Sequence, residues 1–253
     1  MKKISMLLAG LFAAISVNAQ VKEPTPAAIK IPFSESLQAV VVTTKKAEDT
    51  NGTARLFERN GLRDAWKPVG QPFLVVVGRG GLGWAVDSAP EKIKDFKREG
   101  DGRSPAGLFP LTYAFGSSEK PEALDYPYTR LIASTECVDD PSSSHYNKIV
   151  DRFKVGNFDW KSSEKMLEVG EEYSLGVFVA YNSYPVRTGD GSCIFLHVWK
   201  DENTPTSGCT AMSRRDVERI VGWLNAARNP YLVQLTERDY NSLRRKWNLP
   251  RIK

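Results

Sequence analysis

The chain is predicted to be mainly β, or α+β, with a few flanking helices around one core. Three observations point there. Short runs rich in β-branched and aromatic residues recur between turn dipeptides, and only two segments carry capped helical periodicity. The 253 residues are 41% hydrophobic and 26% charged, proportions of a globular protein rather than a disordered or fibrous one. Lys plus Arg number 35 against 30 acids, a formal charge of +5 with no basic block, so nucleic acid is not an expected partner. No apolar run of transmembrane length occurs beyond the first twenty residues, so no integral membrane segment is expected after them.

The elements follow in order. Lys2 and Lys3 precede an apolar stretch from Ile4 to Val17, and Val17-Asn18-Ala19 ends in a small residue suited to signal-peptidase cleavage. Residues 1–19 are therefore read as a secretory signal, whose loss leaves a charge of +3. Residues 20–36, with three prolines, read as an extended tether, and a single domain is expected over 37–253, with a core of 37–235. AVVVTT (39–44), ARLFER (54–59), the Asn60-Gly61 turn and FLVVV (73–77) suggest an antiparallel meander. Residues 90–130 carry Gly and Pro too often for a long helix and read as a large connection. The polar stretch 135–160 reads as a functional excursion.

GVFVAYN (176–182) and SCIFLHVW (192–199) read as buried strands. Ser213 and Asp216 form a capping pattern ahead of Val217, Ile220, Val221 and Leu224, spaced for one helix face, with a stop near Asn229-Pro230. A strand YLVQL (231–235) and a second capped helix over 236–253, with Tyr240, Leu243 and Trp247 on one face, close the chain.

The chemistry concentrates in residues 195–221. Period-two alternation puts Cys193, Phe195 and His197 on one face of their strand and Ile194, Leu196 and Val198 on the other. The strand ends near His197, and Ser207-Gly208-Cys209 stands just before the capped helix. A free thiol is only slightly ionised near neutral pH, so a catalytic cysteine needs a base and donors for the oxyanion. His197 could be that base, and the backbone amides of Gly208 and Cys209 are candidate oxyanion donors. Cys193 alone reads as a small buried residue. Three cysteines in an oxidising compartment allow one disulfide plus one free thiol, or three thiols, and sequence does not choose.

Other residues are weaker candidates. His145 reads as a solvated loop histidine, and Asp139 and Asp140 either end a turn or line a cleft. Arg103 and Arg187 could bind carboxylates but are ordinary loop charges on the plainer view. Asp201 and Glu202 could orient His197, though a hydrated loop is the simpler account, and a backbone carbonyl could do the same. The glycines of 78–83 lack a following Gly-Lys-Ser/Thr and read as a turn. No closely spaced metal-ligand pair occurs, so neither metal nor cofactor is expected.

HVWKDENTPTSGC followed by TAM resembles the signature of the L,D-transpeptidase (YkuD-type) catalytic domain, in an exported branch. GRGGLGW (78–84), EGDGRSPAGLFPL (99–111), CVDDP with a later YN (137–147) and GSCIFLHVW (191–199) add to the resemblance, which spans about residues 37–235. It implies a β-rich transpeptidase fold, Cys209 as nucleophile and His197 as base. It also implies action on peptidoglycan stem peptides in the periplasm or cell wall, through a thioacyl-enzyme. Thr206, Ser207, Arg103 and Asp139 are further candidate substrate contacts, and a monomer is expected. Ser207 stands where many members carry a second histidine, and Thr210-Ala211 replaces the usual arginine or asparagine after the cysteine. An L,D-carboxypeptidase or amidase on the same scaffold, and a wall-binding module with an inert thiol, are the alternatives.

Overall fold

A computed structural model describes residues 32–252. The signal segment and residues 20–31 of the tether lie outside them. Thirteen strands and two helices follow in chain order. The first five strands are β1 (Gln38–Thr44), β2 (Asn51–Glu58), β3 (Lys67–Val76), β4 (Leu82–Trp84) and β5 (Ser104–Gly116). Short strands β6 (Tyr128–Arg130), β7 (Thr135–Val138), β8 (Ile149–Asp151) and β9 (Ser163–Lys165) come next. Then follow β10 (Leu175–Val179), β11 (Phe195–Val198), β12 (Thr210–Met212), α1 (Arg214–Trp223), β13 (Tyr231–Thr236) and α2 (Glu237–Leu243).

Strands β1 to β3 form the expected meander. Strand β13 then lies parallel to β1 and antiparallel to β5, β5 pairs with β10, and β10, β11, β12 and β3 complete the circuit. The result is a closed eight-stranded barrel, which leaves its member strands without a free edge. Every residue of β1 is buried, as its unbroken run Ala39–Val42 requires when both strand faces are covered. No helix of the described residues is long and apolar enough to cross a membrane.

The capped helix forms as its spacing requires. Ser213 accepts the Asp216 N–H, and Val217, Ile220, Val221 and Leu224 are buried in the main core. Each such side chain contributes about 1.5–3 kcal/mol and the cap about 1 kcal/mol. The helix ends at Trp223, earlier than expected, and a 3₁₀ turn over Ala226–Arg228 leads to Asn229 in the left-handed region.

Four expectations are corrected. The 90–130 connection contains β5, the longest strand of the fold; Pro105, Gly107 and Pro110 concealed it, yet the barrel accommodates them. The excursion reaches past residue 160 to Lys165 and folds into its own three-stranded sheet, with β7 between β8 and β9. The C-terminal helix stops at Leu243 rather than running to 253; turns carry the chain on to Asn248, which adopts φ +52° ahead of Pro250. The fold also begins before Leu37: Phe33 is buried against Trp66 and Tyr231, and Arg59 donates to the Ser34 and Ser36 carbonyls.

Candidate active site

Parallel pairing of β11 and β12 sets Leu196 opposite Thr210 and His197 opposite Ala211. Cys209, one residue before β12, therefore falls beside Phe195, whose backbone N–H donates to its Sγ at 3.3 Å. The expected strand parity holds. Ile194, Leu196 and Val198 enter the main core, while Cys193, Phe195 and Cys209 join a second cluster with Phe115, Tyr173 and Phe178. His197 and Cys209 both line one cleft of about 490 Å³. Another hollow of about 470 Å³, beside Phe33 and Trp247, has neither histidine nor cysteine in its lining.

Cys137 and Cys193 form a disulfide, leaving Cys209 as the free cysteine. Cys193 is buried as expected, but as half of a bridge. The bridge ties β7 of the excursion to the segment entering β11, and the Cys193 carbonyl accepts from the Cys209 thiol at 3.4 Å.

The electrostatics favour a protonated resting thiol. Burial pushes the Cys209 thiol up to about 12, with the Glu164 charge acting in the same direction. The Phe195 amide, the Tyr173 hydroxyl and the Lys97 charge oppose this. Burial likewise holds His197 below the ordinary imidazole value, against the pull of the Val198 carbonyl and Glu172. Its Nδ1 lies 2.8 Å from the Val198 carbonyl oxygen, so a backbone carbonyl orients the ring. Asp201 instead accepts from the Asn203 amide and Thr204 hydroxyl, closing its own loop. The imidazole is not among the hydrogen-bond partners of the Cys209 sulfur in this resting arrangement.

Sequence reasoning missed two residues that the fold brings to the sulfur. Tyr173 packs edge-on against Phe195 and His197, and its hydroxyl donates to Glu164 at 2.6 Å. Burial pushes the Glu164 carboxyl up to about 7, with Asp139 and Glu99 adding to the effect. Neither residue belongs to a motif, and Glu164 lies 45 positions before Cys209, so no local signal marked them.

The remaining candidates divide. Thr206, Ser207 and Asp139 line the cleft. Thr206 is committed to building it: its Oγ1 donates to the Cys209 carbonyl at 2.6 Å and accepts the Gly208 N–H at 3.1 Å. That second bond corrects the expected oxyanion pair, since the Gly208 amide is already engaged. The Cys209 amide makes no hydrogen bond among the described residues. Arg103 is absent from the cleft lining and pairs with Asp95 at 2.9 Å, whereas Arg79 lines the cleft and donates to Ser207. Arg187 pairs with Asp87. Asp140 holds the Ser142 turn and accepts from the Lys161 amide, while one Asp139 oxygen is buried without a partner. His145 is half-buried against Trp160 rather than fully solvated, with Nε2 3.1 Å from the Asn157 carbonyl.

The model of the YkuD L,D-transpeptidase catalytic domain family matches residues 47–233. The chain belongs to the YkuD family. No curated protein and no solved structure matches it. The matched region of this YkuD domain takes in β2 to α1 and the start of β13, and with them the cleft, the disulfide and the free thiol. Strand β1 lies before the match, so the barrel is completed by residues outside it.

Proposed function

We propose that this protein is an exported cysteine L,D-transpeptidase that acts on peptidoglycan stem peptides through a thioacyl-enzyme. The reading rests on one observation above all. The free cysteine of the described residues shares a cleft with the histidine of the adjoining strand, in a domain of this family. The Cys137–Cys193 bridge fits an oxidising compartment, in keeping with the signal-like amino terminus.

In the proposed step, Sγ of Cys209 bonds to the carbonyl carbon of the donor peptide as His197 takes the thiol proton. The carbonyl π pair moves onto oxygen, where the Cys209 amide donates to it. Collapse re-forms the C=O bond and breaks the C–N bond, and the departing amine takes the proton back from the imidazole. An acceptor amine then attacks the thioester carbon, loses a proton to the imidazole and releases the thiol as the new amide forms. A thiol raised to about 12 calls for deprotonation during attack rather than a preformed thiolate.

Intact-mass measurement after exposure to a carbapenem tests the nucleophile: one covalent adduct is expected on the mature protein and none on Cys209→Ala. Incubation with a tetrapeptide donor and a D-amino acid tests the outcome. Exchanged or cross-linked products mark transfer, tripeptide alone marks a hydrolase, and an unreactive thiol marks a binding module.

A further inference from the structure

The engagement of the Gly208 amide by Thr206 leaves the proposed oxyanion position with one backbone donor, the Cys209 N–H. A second donor stands close by. Lys97 lies between β4 and β5, and its side chain is only 3% exposed, yet it lines the same cleft as Cys209 and His197. Two of its N–H groups are accounted for: Nζ donates to the Arg98 carbonyl and to Asp101 Oδ1, each at 3.0 Å. The third has no hydrogen-bond acceptor among the described residues, and the ammonium lies 5.9 Å from the centroid of the Tyr181 ring.

Gly191 makes room for this ammonium, and Gly208 stands at ordinary contact distance from it. A methyl group built on Gly191 would sit 3.2 Å from Nζ, and one built on Gly208 would sit 4.0 Å away. Gly208 has φ +156°, a backbone conformation that glycine favours, and a side chain there would also meet the Arg103 carbonyl at 3.2 Å. The chain thus brings a buried cation to the residue immediately before the thiol. Its charge is felt at the sulfur, where it favours the anionic form.

We propose that the Lys97 ammonium is the charged donor of the oxyanion site, taking the place of the Gly208 N–H. Its free N–H meets the oxygen on which negative charge develops when Sγ attacks the carbonyl. A charge-assisted bond in a buried site is stronger there than a neutral amide bond. Asp101 holds the ammonium in place at the turn that opens β5. The inference rests on the proposed function, in that Cys209 must be the nucleophile.

Two electrophiles separate the possible roles of Lys97. Acylation by a carbapenem forms a C–S bond, puts negative charge on the carbonyl oxygen, then breaks the lactam C–N bond as nitrogen takes up the thiol proton. Alkylation by iodoacetamide forms a C–S bond and expels iodide, with no oxyanion. Both need the thiol proton removed from the sulfur, so their ratio isolates oxyanion stabilisation. For Lys97→Met and for Lys97→Gln, which keeps a polar head for the Arg98 carbonyl, the carbapenem rate constant is expected to fall about 10²–10³-fold, with alkylation at the same pH falling no more than about fivefold.

Equal falls in both rates would assign Lys97 to the thiolate alone, and unchanged rates would assign it to neither. Loss of the native thermal transition in both variants would assign it to the fold. Each of these results overturns the inference. An unsubstituted protein that alkylates at Cys209 but never acylates removes the proposed function itself. One that acylates no faster than folded Lys97→Met removes only the oxyanion role of Lys97.

Discussion

The Nδ1 of His197 and the carbonyl oxygen of Val198, the next residue in the chain, lie 2.8 Å apart. A carbonyl can only accept, so Nδ1 carries the proton and Nε2 is left as the basic nitrogen of the neutral ring. No carboxylate is needed for this orientation, and Asp201 and Glu202 are free to serve the loop after β11.

The first prediction concerns that ring. His197→Ala is expected to lower transfer by about 10²–10⁴-fold with the fold retained, while His145→Ala changes little. Because burial holds the imidazole below its ordinary value, it is neutral at pH 7. The acid limb of the kcat/KM profile should therefore lie below about pH 6.5, the unperturbed value. A limb well above that pH, or full activity in His197→Ala, would reassign the base.

Glu164 should act on the thiol through its charge. Its negative charge raises the Cys209 thiol, so Glu164→Gln lowers it and increases the thiolate fraction. Glu164 itself titrates at about 7. The gain in iodoacetamide rate should thus appear above pH 7, where the unsubstituted carboxyl is ionised, and fade below it. Equal rates in the two proteins at pH 8.5 would show that the charge does not reach the sulfur.

The disulfide spans 56 residues of sequence, and loop-closure entropy for such a span is worth about 4 kcal/mol. The Cys137→Ala, Cys193→Ala double variant should therefore melt well below the parent. Alkylation of the unfolded, unreduced chain should label one cysteine, and three after reduction. Three labels without reduction would mean that the bridge is not formed.

Arginine at the cleft should be separable by position. Arg79→Ala removes the guanidinium that lines the cleft and donates to Ser207, and is expected to raise KM for an anionic donor peptide several-fold with kcat little changed. Arg103→Ala removes an ion pair with Asp95 instead, and should leave both constants near those of the parent. The reverse ranking would restore Arg103 as the substrate contact.

Local patterns were legible where chemistry and periodicity coincide. The alternation in 193–198 identified which residues face the core, and the Ser213–Asp216 cap located α1. The Ser-Gly-Cys turn and the neighbouring strand histidine marked the cleft. Long-range pairing was not legible: nothing local says that β5 joins β10 to close the barrel, and Pro105 and Pro110 argue against a strand at all. Lys97, Glu164 and Tyr173 lie outside the His-to-Cys segment, so only the fold shows that they converge. The Gly208 amide was misassigned because a threonine hydroxyl two residues away could not be placed from sequence.

The barrel is thinnest beside its chemistry. Ala211 and Val76 are the single register pair joining β12 to β3, continued only by the Gly78–Thr206 bridge, whereas six pairs join β1 to β13. Thermal breathing should begin at this seam, and it would loosen the turn that carries Cys209 while the opposite wall stays zipped. Amide hydrogen exchange ought to run faster in Thr210–Met212 than in Ala39–Val42. The staves that hold the molecule together and the stave that follows the thiol are then different parts of one ring.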